Sequence, residues 1–260
     1  MIEYWLSNWT ILPVAISIAT FASLMGIGGG ILWAPYLILV EELEPKNAVM
    51  ISFMIQFIGM GSATYRYFRN NMIYWRIAWG MLLPLIIGLS IGAFTSQKLA
   101  GGGQLSILLG FISLGVSLIF GFQTEKYDQT LNEDKKIMAP NWLKIQGNVF
   151  GFISGLLSIG SGDFIIPLLR GKLKIPMINA IGTALFLNFF VALCGSLFHF
   201  ILSDNIESKF LYIFTFGATG VLIGGQLGPL LSKRFDESRL KELFVFVLLL
   251  IGLHLIYQVL

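Results

Sequence analysis

The stretch Gly26–Gly30, with the sequence GIGGG, interrupts the long uncharged run Trp9–Val40. A second stretch, Gly160–Asp163 (GSGD), interrupts the run Ile145–Leu169. Each glycine costs a helix about 1 kcal/mol relative to alanine, so clustered glycines predict a turn or an unwound segment. The alternative is a glycine-rich face for close helix packing, but packing glycines recur at every fourth position and not consecutively. We therefore interpret both stretches as helix breaks.

The rest of the chain is apolar enough to lie in a lipid bilayer. Its 260 residues are 56% hydrophobic and 12% charged, and the mean hydropathy is +0.80. This charge fraction is too low to coat a soluble enzyme, which excludes that class of protein. Six further uncharged runs reach the roughly 18–20 residues of a spanning helix. They are Asn47–Tyr65, Ile77–Gln97, Leu99–Thr124, Ile175–Ser203, Phe210–Ser232 and Leu243–Leu260.

The charge and cysteine content exclude other kinds of partner. The net charge is only +3, so nucleic acid is not expected as a partner. Cys194 is the only cysteine, which excludes a disulfide framework and a cysteine-based metal cluster. No cofactor and no metal are predicted. The N-terminal residues lack the basic region and cleavage site of a signal peptide, so none is expected.

The two halves of the sequence repeat at an offset of 132 residues. Between Ile27 and Ile58 this offset gives eight identities, where chance gives about two. The identical pairs include Gly28/Gly160, Gly30/Gly162, Pro35/Pro167, Leu37/Leu169, Asn47/Asn179 and Ala48/Ala180. We therefore predict a first transmembrane repeat at residues 1–124, a linker at 125–144 and a second repeat at 145–260.

The 17 lysines and arginines distinguish two topologies. If each interrupted run crosses the membrane once, giving eight spans, they divide eight to nine between the two sides. If each run is a re-entrant hairpin, they divide 14 to 3, with only Lys46, Lys98 and Lys209 outside. Because cytoplasmic loops carry the excess of basic residues, we favour the hairpins, with a cytoplasmic linker and both termini outside.

Three crossings in each half place the second copy upside down relative to the first. The predicted fold is an all-α polytopic membrane protein of two inverted repeats. Each repeat has a Gly-broken re-entrant helical hairpin followed by three transmembrane helices. Inverted repeats whose broken helices meet near the midplane of the bilayer are typical of transporters.

The breaks also predict an anion site. A helix begins after each break, near Gly30 and near Gly162, and a helix N-terminus carries about half a positive charge and free N–H donors. Two such ends can bind an anion without a basic side chain. The predicted substrate-binding residues are Gly28, Gly29, Gly30, Gly160, Ser161, Gly162, Gln56, Asn188 and Thr183.

Some polar residues near the breaks have a structural alternative. Gln56 and Asn188 are a repeat-related pair, for which inter-helix hydrogen bonding is the alternative to lining a cavity. Thr183 can instead bond to its own helix. Four residues are predicted to be structural, as helix kinks at Pro35 and Pro167 and as N-caps at Asn47 and Asn179.

Asp163 is the only acidic residue inside a hydrophobic run. A carboxylate within the membrane is costly, so a function is the default hypothesis. One interpretation is a proton or cation site that couples transport. The other is a carboxylate at a helix start, where the helix dipole stabilises it.

At these residues the sequence resembles the TauE/SafE family of sulfite-exporter-type membrane proteins. The family has a Gly-rich segment followed by a proline in each half, as Pro35 and Pro167 follow the breaks here. Ala180–Thr183 resembles the family's Ala…Thr-Ser stretch, whereas Ile51-Ser52 keeps only the serine and Ser161 replaces the usual middle glycine. The resemblance implies transport of small sulfur-containing anions, namely sulfite, thiosulfate or an organosulfonate.

The predicted function is secondary transport of such an anion by alternating access in a bacterial inner membrane. No Walker A sequence is present, so a proton or sodium gradient is the expected energy source. One alternative is an anion channel of the same architecture. The other is an intramembrane hydrolase with Ser158 or Ser161 as nucleophile and His199 or His254 as base.

Overall fold

The computed structural model describes residues 9–99, 102–122, 137–203, 209–231 and 237–257. These residues form ten α-helices and no β-strand, as the uncharged runs predict. The helices of the first half are α1 (Ile11–Met25), α2 (Gly30–Leu39), α3 (Pro45–Arg69), α4 (Trp75–Lys98) and α5 (Gly102–Phe122). Those of the second half are α6 (Asn141–Leu157), α7 (Gly162–Gly171), α8 (Met177–Leu202), α9 (Phe210–Leu231) and α10 (Glu237–Tyr257).

The helices of the two halves occupy matching positions. Adding 132 to the bounds of α2 gives the bounds of α7, and the other four pairs agree within three residues. Each half therefore has two short helices around a break, followed by three longer ones.

The two arms of each interrupted run lie side by side. In the second half, the rings of Phe150 and Phe164 stack with their centroids 5.1 Å apart. At the far ends of the same arms, Lys172 Nζ lies 4.8 Å from the centroid of the Trp142 ring. The chain therefore turns back at this break. In the first half, α1 and α2 together line one cavity.

Small residues let helices of opposite halves approach closely. α4 packs against α6, and α9 packs against α1. A Cβ on Gly92 of α4 would overlap the carbonyl oxygen of Phe152 in α6, and a Cβ on Gly224 of α9 would overlap that of Ile16 in α1. The two halves are thereby held together at two equivalent crossings, where the absent side chains allow backbone contact.

In the part of the chain that the structure describes, four helices are long and apolar enough to cross a membrane, namely α3, α4, α8 and, over Phe210–Gly228, α9. α5 and α10 correspond to the other two predicted spans and contain shorter apolar helices within the described residues, Gly103–Ile119 and Val245–Tyr257. Leu83, Ile87 and Ile91 of α4 are 67%, 47% and 56% exposed. A continuous apolar face of this kind needs a cover of lipid or protein. The chain is an integral membrane protein.

One predicted boundary differs from the structure. α6 begins at Asn141, inside the predicted linker 125–144, of which residues 125–136 lie outside the described part of the chain. The first turn of α6 contains Lys144, so the uncharged run does not include it. A lysine is compatible with this position because its aliphatic stem can lie along an apolar surface while its charge reaches water.

Replacing Gly92 with alanine is expected to lower the melting temperature of the protein in detergent. The added methyl group overlaps the carbonyl of Phe152, and overpacking of this kind costs about 1–3 kcal/mol. The matched control is Gly115→Ala, because a Cβ at Gly115 meets no atom within 4 Å and alanine favours a helix by about 1 kcal/mol. Equal melting temperatures for Gly92→Ala and the wild type would contradict the close crossing.

Candidate functional site

The two glycine breaks contact each other backbone to backbone. Gly28 and Gly160, which are equivalent in the repeat, lie so close that a Cβ on either would overlap the Cα of the other. A Cβ on Gly30 would overlap the carbonyl oxygen of Ser158, and one on Gly162 would lie 2.8 Å from a carbonyl oxygen of the first break. All of these residues are buried. Glycine is therefore required here for a contact between main chains.

The two breaks have the same backbone conformation where the first arm ends and different conformations where the second arm begins. The first arms end at Gly26 and Ser158, with φ values of 75° and 61° in the left-handed region. The second arms begin after Gly29, with a φ of 72°, and after Ser161, with a φ of −61°. Serine can replace the middle glycine of the second break because the backbone there is right-handed.

The N-terminus of α7 binds a single side-chain oxygen. Ser161 Oγ donates a hydrogen bond to Asn188 Oδ1 at 2.7 Å, and the Gly162 N–H donates to the same oxygen at 3.0 Å. The other amide atom of this side chain, Asn188 Nδ2, is buried and has no hydrogen-bond partner among the described residues. Two donors thus converge on one acceptor at the start of a helix.

Asp163 connects the second break to the first. Its side chain is 1% exposed, and its Oδ1 accepts a hydrogen bond from the Gly28 N–H at 3.0 Å. Its Oδ2 is buried without a hydrogen-bond partner in the described part of the chain. The position in the first turn of α7 favours a negative charge, while the hydrogen bond joins two segments that are far apart in sequence.

Gln56 binds the other end of the second break. Its Nε2 donates to Ser158 Oγ at 2.7 Å and to Ser158 O at 3.1 Å. The same nitrogen lies 3.1 Å from Ser52 Oγ and 3.2 Å from Ser52 O. Gln56 belongs to the first half, so the repeat-related residues Gln56 and Asn188 both bind the second break.

Ser52 and Ser158 are site residues that the sequence analysis did not include in the anion site. Ser158 Oγ donates to Ser52 Oγ at 3.1 Å, and both residues are fully buried. Two signals were available. Ser52 precedes Gln56 by four residues, which places both on one helix face, and Ser158 lies two residues before the first glycine of the break.

Thr183 forms its hydrogen bonds with residues outside the breaks. Its hydroxyl donates to the carbonyl of Asn179 at 2.7 Å and accepts the N–H of Tyr74 at 3.0 Å. Thr183 therefore forms the hydrogen bond to its own helix that the sequence analysis gave as the alternative. Pro35 and Pro167 lie inside α2 and α7.

The prediction that Asn47 and Asn179 are N-caps is wrong. Both are the third residues of their helices, α3 and α8, whose N-cap positions are taken by Glu44 and Pro176. α3 starts earlier than predicted because proline is well suited to the first position of a helix, and Pro45 occupies that position.

The serines of the alternative hydrolase do not pair with His199. His199 is fully buried, and its Nε2 lies 2.7 Å from the carbonyl oxygen of Gly155. Its ring stacks on Phe53 with the centroids 5.4 Å apart. The hydroxyls of Ser158 and Ser161 bond instead to Ser52 and Asn188. A nucleophile within hydrogen-bond reach of a base is thus not formed by these residues.

Within the described part of the chain, two of the cavities that lie outside the breaks stand out by their lining. One of 430 Å³ lies between α1, α2 and α10 and is lined mainly by apolar side chains. One of 310 Å³ has an aromatic lining, made of Tyr65, Phe68, Trp75, Phe186, Phe189 and Phe190. Among the described residues, no group of three or more His, Cys, Asp or Glu side chains could hold a metal ion.

Comparisons with known proteins agree on a family. A relative from Bacillus subtilis, the probable membrane transporter protein YunE, is 26% identical over 92% of this chain and 93% of its own length. Probable membrane transporter proteins of Xylella fastidiosa and Methanocaldococcus jannaschii are 27% and 23% identical, over 90% and 98% of this chain and 89% and 97% of their own. No solved structure matches. The family described as Sulfite exporter TauE/SafE matches residues 11–255, and the chain belongs to this family.

Proposed function

We propose that this protein is a secondary transporter that moves a small sulfur-containing anion across the membrane by alternating access. The observation that carries the proposal is the convergence of the Ser161 hydroxyl and the Gly162 N–H on one oxygen, that of Asn188. A sulfite, thiosulfate or sulfonate oxygen is an acceptor of the same kind with a greater charge, and charge-assisted hydrogen bonds are the stronger ones. The description of the family and the names of the relatives support this substrate class and a transport function.

The first break supports the same chemistry. Its Gly28 N–H donates to a carboxylate oxygen of Asp163 at 3.0 Å, so main-chain donors of both breaks point at side-chain oxygens. An oxyanion that exchanges with these side chains keeps the donors satisfied, as buried N–H groups require. The glycines leave the main chain open to a ligand once the two breaks separate.

Contacts at the ends of the helices support the re-entrant hairpins. Lys209 Nζ donates to the carbonyl of Glu41 at 2.7 Å, and Lys46 Nζ donates to the carbonyl of Gln97 at 3.0 Å. The eight-span topology puts Lys209 and the segment of Glu41 on opposite faces, about 30 Å apart. The hairpin topology puts them together, with the three predicted external lysines at one end of the molecule.

The packing of the halves supports alternating access between inverted repeats. Because α1 packs against α9 and α6 packs against α4, each hairpin is attached to the opposite half. Rocking of one half against the other would then move Gly28 relative to Gly160 and expose the donors to one side at a time. In the proposed topology the linker is cytoplasmic, both termini lie outside, and the protein resides in the cell membrane.

Purified protein in liposomes is expected to take up labelled sulfite, thiosulfate or a sulfonate. Ser161→Ala should raise the KM about tenfold or more, since a hydrogen bond to a charged group contributes about 1.5–3 kcal/mol. The matched control is Ser113→Ala, whose hydroxyl bonds only within α5, to the carbonyl of Leu109. Absence of flux for all three anions would overturn the proposed substrate class, and an unchanged KM in Ser161→Ala would remove Ser161 from the site.

Asp163→Asn is expected to abolish accumulation driven by an ion gradient while counterflow exchange of labelled substrate continues. The substitution removes the carboxylate charge that we propose for coupling but keeps an oxygen for the Gly28 N–H. The control is Glu42→Gln, an acidic residue that is exposed. If transport by Asp163→Asn depends on protons and sodium as transport by the wild type does, Asp163 has only a structural role. Absence of counterflow in the wild type would favour an anion channel over a carrier.

Cysteines introduced at Lys46 and Arg170 are expected to react from opposite faces of the membrane. A Cys194→Ala background removes the native thiol, and labelling of intact spheroplasts with an impermeant maleimide reports the outer face. The two positions flank different hairpins, which enter the membrane from opposite sides in the proposed topology. Reaction of both cysteines from one face would instead support the eight-span topology.

A further inference from the structure

Four oxygen atoms surround the side-chain nitrogen of Gln56. Two are carbonyl oxygens and two are hydroxyl oxygens, supplied by Ser52 and Ser158, at distances of 2.7–3.2 Å from Nε2. The three side chains are 0%, 4% and 0% exposed for Ser52, Gln56 and Ser158. We call these four atoms the oxygen cage.

The amide group of Gln56 does not match the cage well. An NH₂ group has two protons to donate, whereas the cage presents four acceptor oxygens. One hydroxyl proton is used inside the cage, because Ser158 Oγ donates to Ser52 Oγ at 3.1 Å. The four oxygens carry more lone pairs than these protons can fill, and the lone pairs left over can bind a cation once the amide moves aside.

The position of the cage in the fold also favours a positive charge. Ser158 is the C-cap of α6, and the C-terminus of a helix carries about half a negative charge. Unwound carbonyls and half-helix C-terminal ends are groups that bind cations in transporters with broken helices. The carbonyl of Ser158 is such a group, since it lies at the end of a helix arm and next to a break.

We propose that the oxygen cage is a binding site for a monovalent alkali cation. In the occupied site the amide of Gln56 moves away from the centre of the cage, where its nitrogen now lies, and turns so that Oε1 becomes a fifth oxygen ligand. Hard cations prefer carbonyl, carboxylate and hydroxyl oxygens, and the cage contains only neutral oxygens, which favours a single charge. The inference deepens the proposed function, because it makes this ion the coupling ion of the transport.

Asp163 supplies the opposite charge nearby. Its carboxylate bonds to the Gly28 N–H, and a Cβ on Gly28 would lie 3.3 Å from Gln56 Oε1. The buried Asp163 Oδ2 has no hydrogen-bond partner among the described residues. A cation in the cage compensates this carboxylate, so binding of the ion and the charge at the anion site are linked.

The oxygen cage has no counterpart at the repeat-related positions. At the offset of 132 residues, Ser52 corresponds to Ala184 and Ser158 to Gly26, while Gln56 corresponds to Asn188. The hydroxyls that complete the cage are therefore absent from the equivalent positions. This difference also provides the test variants, because Ser52→Ala and Ser158→Gly introduce the residues of the other half. Glycine at 158 keeps the left-handed φ of 61° accessible.

The experiment measures the melting temperature of purified protein in detergent at constant pH and ionic strength, in NaCl, KCl or choline chloride. A ligand that binds the folded state raises the melting temperature in a saturable way, so NaCl or KCl is expected to stabilise the wild type relative to choline chloride. The variant Ser52→Ala/Ser158→Gly should need about tenfold or more salt for the same shift, equivalent to about 1.4 kcal/mol. Ser154→Ala, one turn earlier in α6, is the control and should respond like the wild type.

Equal melting temperatures in the three salts, or an equal response of the double variant, would overturn the cation site. If the double variant does not fold, the cation site is tested by equilibrium binding of ²²Na⁺ and ⁸⁶Rb⁺ to the wild type. Absence of saturable binding of both ions would likewise overturn the cation site. The proposed function fails separately, by absence of anion flux in liposomes. Anion accumulation that is equal in choline chloride and in alkali salts would overturn the coupling role alone.

Discussion

The contact between Gly28 and Gly160 is the constraint on which the rest of the site depends. Two main chains that touch leave no room for a side chain on either, and they bring the ends of four short helices into one buried region. Non-helical backbone at membrane depth must be buried in protein or line a cavity. The polar side chains of Gln56, Asn188 and Asp163 meet this requirement, because each binds a main-chain or hydroxyl group of a break.

The site is built on a repeated scaffold but is not itself repeated. Gln56 and Asn188 occupy equivalent positions, yet Gln56 binds Ser158 at one end of the second break and Asn188 binds Gly162 at the other. The first break is instead bound through its Gly28 N–H by Asp163. The two halves of the repeated arrangement of helices thus carry different polar contacts.

The crossings of α1 with α9 and of α4 with α6 join the two halves of the chain. Small residues such as Gly92 and Gly224 allow backbone contact there, so the first arm of each interrupted run packs against the opposite half.

Much of the fold could be predicted from residue patterns. Helices after Gly30 and Gly162, the three longer helices of each half and the matching positions at an offset of 132 residues all follow from hydrophobicity, glycine and self-similarity. These signals lie in short stretches of sequence or in the comparison of the two halves, so they can be read without knowing which residues are in contact. The misplaced caps at Asn47 and Asn179 arose where a proline lies at the first position or at the N-cap of the helix, ahead of the polar residue.

The partners of the polar residues could not be predicted in this way. Some contacts depend on packing between segments more than 100 residues apart, namely those of Gln56 with Ser158, of Thr183 with Tyr74 and of Asp163 with Gly28. By itself the sequence determined an integral membrane protein with two glycine breaks and one buried carboxylate. Only the tertiary structure decided that the breaks touch and which oxygen satisfies each donor, because hydrogen bonds between distant segments leave no periodic signal in the chain.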